Sequence, residues 1–210
     1  MIHDRLKNIL QKRLLFLDGA LGTELFKRGF SEFPPEEYLL RNQSAIFEIQ
    51  KDHVKAGCDI LLTATLGANP LKLQSIGLKD KMEEINECAT DIAHKAAESK
   101  ILIAGNLGPS GELFSPSGNL TFSRAYDCFY EEIRILNKNV DLFILETFSD
   151  IRELKAAILA IKDIAPRTFI IANLTFDKNG RTLIGTDPTG FALAFEDLDV
   201  DALGINCSLG

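Results

Sequence analysis

Three side chains with chemical potential stand at the ends of short apolar runs: Asp18, Glu146 and Cys207. Asp18 ends Leu14-Leu15-Phe16-Leu17 and precedes Gly19 and Ala20, where a small-residue backbone can approach a ligand closely. Its structural alternative is a cap for a helix beginning near Leu21. Glu146 follows Leu142-Phe143-Ile144-Leu145. A carboxylate at such a place either holds an ammonium group or makes a structural ion pair. Cys207, beside Asn206, follows Leu203-Gly204-Ile205. It reads as a nucleophile, a metal ligand or filler. A nucleophile wants a histidine near by, yet His3, His53 and His94 all fall on helical stretches, where an imidazole is usually satisfied or solvated. That leaves a metal thiolate as the stronger chemical reading. Cys58, Cys88 and Cys128 are far apart with no CxxC spacing, and read as small buried hydrophobes.

The elements that must position these groups follow from hydrophobic periodicity. Besides the three runs above, Ile60-Leu61-Leu62, Ile101-Leu102-Ile103-Ala104 and Phe169-Ile170-Ile171-Ala172 are near-continuous apolar stretches, as strands of a parallel sheet buried on both faces should be. Between them lie amphipathic stretches. Residues 44–56 carry Ile46, Phe47, Ile49, Gln50 and His53 at helical spacing, with Gly57 as a stop. Residues 80–99 and 150–165 repeat the pattern, and residues 2–13 predict a leading helix. Asp150 and Glu153 have the spacing of a capping box.

Six strands alternating with helices predict an α/β fold, closed either as a doubly wound sheet or as a (β/α)₈ TIM barrel. No GxGxxG follows the first run, and there is no GKS or GKT. Polar residues instead gather at the carboxyl end of every strand: Asp18, Thr63 and Thr65, Asn106, Glu146 and Thr147, Asn173 and Thr175, Asn206 and Cys207. Barrel enzymes collect their sites at that face. The expectation is one domain, 1–210, forming a barrel truncated after about the sixth strand.

Charge and composition exclude other classes. The 210 residues hold 23 Lys+Arg against 30 Asp+Glu, net −7, without a basic cluster, which argues against a nucleic-acid surface. A hydrophobic fraction of 46% argues against disorder. The apolar runs are far shorter than the roughly 20 residues that cross a bilayer. The first dozen residues carry charges rather than a signal-peptide core, so the expected location is cytoplasmic.

The stretches Leu17-Asp18-Gly19-Ala20-Leu21-Gly22-Thr23-Glu24, Gly105-Asn106-Leu107-Gly108-Pro109-Ser110-Gly111, Leu145-Glu146-Thr147-Phe148-Ser149-Asp150 and Gly204-Ile205-Asn206-Cys207-Ser208 together resemble the homocysteine-binding domain of zinc-dependent homocysteine methyltransferases. Asn173-Leu174-Thr175-Phe176 and Gly185-Thr186-Asp187-Pro188 look most like the N-terminal module of the cobalamin-dependent methionine synthases. The resemblance spans the whole chain in family order.

It implies a zinc-dependent methyltransferase in which homocysteine thiolate accepts a methyl group, from methylcobalamin, to give methionine. Cys207 would be the first zinc ligand, with the others downstream in a Gly-Gly-Cys-Cys motif that this sequence lacks. Glu146 would hold the substrate amino group. The loop after Asp18, with Gly19 and Ala20, would offer N–H groups to its carboxylate, and Thr65 and Asn206 would complete the substrate site. The partners implied are homocysteine and cobalamin- and folate-binding modules of the same or another chain. Ala64 departs from the pattern, standing where the family usually carries Asn. Two other readings stay open from the residues: a barrel lyase or isomerase using Asp18 and Glu146 as acid and base, and a non-catalytic fragment that binds an amino acid or docks a partner. On its own, this chain is expected to be inactive.

Overall fold

The computed structural model describes residues 2–99 and 101–208. Its centre is a sheet of five parallel strands in the order β1-β2-β3-β4-β5. These are Ile60–Leu62, Leu102–Leu107, Leu142–Phe148, Phe169–Leu174 and Ala202–Ile205. A doubly wound sheet reverses direction at a switch point, whereas here every crossover adds its strand on the same side. Sequential order is the arrangement of an incomplete (β/α)₈ barrel.

The helices follow the predicted rhythm. They are α1 (Ile2–Leu10), α2 (Leu21–Lys27), α3 (Pro35–Arg41), α4 (Gln43–Ala56), α5 (Pro70–Ser75), α6 (Met82–Ala97), α7 (Phe122–Leu136), α8 (Ile151–Ile164) and α9 (Pro188–Phe195). No helix among the described residues is long and apolar enough to cross a membrane.

Strand alternation splits the apolar residues into two layers. Ile60, Leu62, Ala104, Leu142, Ile144 and Phe169 point to the barrel interior, where Leu6 of α1 joins them. Phe143, Leu145, Ile170 and Ala172 point outward and are covered by α7 and α8. At the amino ends of alternate strands three aspartates do one repeated job. Asp59, Asp141 and Asp201 accept the backbone N–H of Phe16, Ile103 and Ile170, each on the preceding run, at 2.9–3.0 Å. They fasten neighbouring strands where the register begins.

Three expectations need correction. The run Leu14-Leu15-Phe16-Leu17 is not a strand: it makes one bridge, Leu17 to Ile60, so the sheet has five strands rather than six. Asp59 takes the Phe16 N–H and also grips Arg13 through both guanidinium nitrogens. The run meets β1 only at its end, through Asp59 N–H to Phe16 O at 2.7 Å and Asp18 N–H to Ile60 O at 3.1 Å, and Phe16 is 64% exposed. The capping box at α8 is half present. Asp150 accepts the Arg152 N–H at 2.8 Å, but Glu153 turns away to accept the Ser110 N–H and hydroxyl. It pins the loop after β2 instead of its own helix. The leading helix ends at Leu10, three residues before the predicted limit.

Candidate functional site

The carboxyl ends of the strands surround a cavity of about 720 Å³. Its lining includes Asp18, Gly19, Ala20, Glu146, Asn206 and Cys207, so the structure brings together six of the seven residues singled out from sequence. Thr65 is the exception. It is fully buried behind the cavity wall, where its hydroxyl donates to Asn106 O at 2.7 Å. Thr63 Oγ1 lies 2.7 Å from Thr65 Oγ1 and accepts the Asn106 N–H at 3.0 Å. This closed set of bonds locks the end of β1 to the end of β2. Thr65 therefore acts on Asn106, which does line the cavity.

Asp18 is not a helix cap. Ala20 occupies the N-cap of α2 and offers no side-chain bond, while Asp18 Oδ2 accepts the Leu62 N–H at 3.1 Å. Burial pushes the Asp18 carboxyl up to about 7, the Leu62 bond opposes the rise, and the neighbouring Glu146 charge adds to it. Burial likewise pushes Glu146 up, against a side-chain hydrogen bond from Asn106. Two carboxyls thus share a water-poor wall in which ionisation of either is disfavoured. A positive charge between them would relieve both.

Thr147 and Cys207 adopt left-handed backbone angles, φ 65° and 47°. Such angles are unusual for a β-branched residue and need outside support. Asn206 supplies it: its Oδ1 accepts the Thr147 N–H at 2.8 Å, and its Nδ2 donates to Thr147 Oγ1 at 3.0 Å. Asn206 Nδ2 and Thr147 Oγ1 also face the exposed Cys207 sulfur at 3.4 and 3.5 Å. Two donors aimed at one sulfur suit a site that handles negatively charged sulfur.

The test for a metal gives a partial fit. Among the described residues, no three His, Cys, Asp or Glu side chains converge to hold an ion. Zinc sites take three or four protein ligands. Cys207 is free, exposed and correctly typed for one of them, but one thiol is not a site.

Sequence reasoning missed His53. Read as a satisfied or solvated helix residue, it lines the cavity, with Nδ1 4.0 Å from Asp18 Oδ2. Gln50, one turn earlier, also lines the cavity and donates to Leu62 O at 2.9 Å. The available signal was a polar pair at i and i+3 continuing the apolar stripe of Ile46 and Ile49. His3 and His94 conform to expectation, bonded to Asp201 and to Asn139 O.

Comparison with known proteins places these features in context. The pattern of the family described as homocysteine S-methyltransferase matches residues 15–209. The methionine synthase of Mycobacterium tuberculosis is 27% identical over 98% of this chain, and that of Mycobacterium leprae is 27% identical over 96%. The chain spans about a fifth of the length of these curated relatives, 19% and 18%. Among solved structures, the metallated form of the homocysteine methyltransferase MmuM from Escherichia coli is similar at a TM-score of 0.83. The identity is 24%, over 96% of this chain and 77% of that one. At that identity the structural likeness speaks for the fold.

Proposed function

The chain belongs to the homocysteine S-methyltransferase family, and from that premise we propose that its cavity holds homocysteine for methylation at sulfur. The observation that carries this reading is the convergence of Asp18 and Glu146 on one cavity beside Cys207. An amino acid brings an ammonium and a carboxylate together. The two carboxyls take the ammonium, which restores their ionised forms. The loop Gly19–Ala20 and the uncapped start of α2 offer backbone N–H groups to the carboxylate. The substrate's sulfur end then lies toward Asn206, Thr147 and Cys207.

Zinc, when bound, would hold the substrate sulfur as thiolate, with Cys207 as one ligand and the others from outside the described residues. The methyl donor in this proposal is methylcobalamin, carried by a separate module and loaded by a folate-binding one. The motif resemblance of Asn173-Leu174-Thr175-Phe176 and Gly185-Thr186-Asp187-Pro188 supports that donor, and similarity to the mycobacterial methionine synthases supports methionine as the product. This chain's own contribution is to bind and orient the amino acid and to exclude water from its charged end.

The test uses the full-length protein. Glu146→Gln should weaken homocysteine binding in calorimetry by about 1–3 kcal/mol, the range for losing a charged hydrogen-bond partner. Unchanged affinity in a folded variant would remove Glu146 from the site. Methionine should form from homocysteine and methylcobalamin; turnover with betaine or S-methylmethionine alone would overturn the donor and leave the acceptor standing.

A further inference from the structure

α4 lies against the end of β1 through two polar residues on one face. Gln50 Nε2 donates to Leu62 O, and Leu62 N–H donates to Asp18 Oδ2. Leu62 therefore ties α4 and Asp18 together from both of its backbone groups. His53 stands one turn beyond Gln50. Its Nδ1 is buried without a hydrogen-bond partner and sits 4.0 Å from Asp18 Oδ2. The ring occupies space that only a glycine leaves, since a Cβ at residue 19 would fall 2.9 Å from His53 Nε2. Such contact confines the imidazole between Gly19 and α4 with Nδ1 on the Asp18 side.

We propose that His53 is a positioning residue for Asp18: its Nδ1–H donates to Asp18 Oδ2 when a bound ammonium group holds that carboxylate ionised, and so fixes where the amino group rests. The inference rests on the homocysteine reading above. Closing 4.0 Å to hydrogen-bond range takes about 1 Å, and site hydrogen bonds often tighten only with ligand present. Protons balance simply. Asp18 releases its proton to solvent as the ammonium arrives, and His53 neither gains nor loses a proton in that step.

Burial, the largest influence on His53, pushes it down toward the neutral form; Glu24 and Asp52 pull it up and Arg28 pushes it down. The charged and titratable groups around the pair are thus Glu24 and Arg28 of α2 and Asp52 of α4. Glu146 of β3, and Cys58 just before β1, complete the set. None of them is hydrogen-bonded to Asp18, and Nδ1–H is the donor that faces it.

The experiment is calorimetric titration of the full-length protein with L-homocysteine from pH 5.5 to 8.5, comparing wild type with His53→Leu, His53→Asn and His53→Gln. The affinity of wild type should fall on the acid side as Asp18 becomes protonated. Without the donor, ionised Asp18 is less stabilised, so in His53→Leu that acid limb should move about one pH unit higher. Its affinity near pH 6.5 should drop about tenfold. Asn places its amide nitrogen where Nδ1 was and should recover most of the loss; Gln, reaching toward the Nε2 position, should not. An unmoved acid limb in His53→Leu, or equal behaviour of the Asn and Gln variants, overturns the proposal. Should His53→Leu fail to fold, the Asn–Gln pair alone decides. Wild type that binds no homocysteine at any pH overturns the substrate reading together with this one, whereas insensitivity confined to His53 overturns this one alone.

Discussion

β3 and β5 both deliver residues to the same cavity, yet they stand in opposite surroundings. β3 pairs on both sides, and Leu142, Phe143, Ile144 and Leu145 are all fully buried. β5 pairs with β4 among the described strands, and Leu203 and Ile205 are 39% and 58% exposed. Glu146 is therefore set by a packed layer, while Asn206 and Cys207 sit on an edge. What holds the edge in place is polar: Thr147, at the end of β3, exchanges two hydrogen bonds with Asn206 and faces Cys207. In the half of the cavity that would grip an amino acid, Glu146 rests on packing. The half that would meet its sulfur is built on directional bonds from the packed half.

The largest expected effect tests the packed half. Phe143 is fully buried, and its ring fills the space left by Gly105, where a Cβ would come within 2.8 Å. Phe143→Ala should cost about 3–5 kcal/mol in urea unfolding, the range for deleting a core aromatic. A loss under about 1 kcal/mol would mean that β3 is not the anchor.

The next effect is electrostatic and changes with pH. The Asp18 carboxyl rises from 3.8 to about 7 on folding. A raised carboxyl favours the folded state below its unfolded value, and that contribution is lost as pH rises through the folded value. Wild type should therefore lose stability between about pH 4 and pH 7. Asn in place of Asp18 keeps an acceptor for the Leu62 N–H but carries no charge. The advantage of Asp18→Asn over wild type should grow by about 2–3 kcal/mol from pH 4.5 to pH 8.5, at about 1.4 kcal/mol per pH unit less relaxation. Parallel curves for the two proteins would show that this carboxyl is better solvated than its burial implies.

The two halves also differ in how far sequence alone reveals them. β1 to β4 announce themselves as unbroken apolar runs, because one face meets the barrel interior and the other the helices. Glu146 was legible for the same reason, as the first polar residue after such a run. The run Leu14-Leu15-Phe16-Leu17 is as apolar as the others but meets β1 only at its end, through the Leu17–Ile60 bridge. Composition registers burial propensity and not the partner. His53 was hidden by a different limit. Helical periodicity says which face a residue occupies, but not that this face borders a cavity rather than a core. Glu153 shows the same limit: capping spacing is local, and a tertiary donor at Ser110 outbid the local one.

The smallest expected effect lies at the β5 edge. Ile205→Thr keeps β-branching, so strand preference changes little. Burying an Ile fully is worth about 1.5–3 kcal/mol, and the change removes only part of its apolar surface. With 58% of the residue in water, the loss should be about 0.5 kcal/mol, close to that of ordinary surface substitutions. The same substitution at Ile144, inward-facing on β3 and fully buried, would add an unpaired hydroxyl to the lost packing and should cost several times more. Urea midpoints of the two variants in this 210-residue chain measure that ratio directly. Near-equal losses would mean that Ile205 is covered in solution. An unpaired strand edge bearing apolar side chains is the surface on which another strand adds. Light scattering then distinguishes the sources: a doubled mass means that a second copy covers the edge, and an unchanged mass means that the chain folds over it.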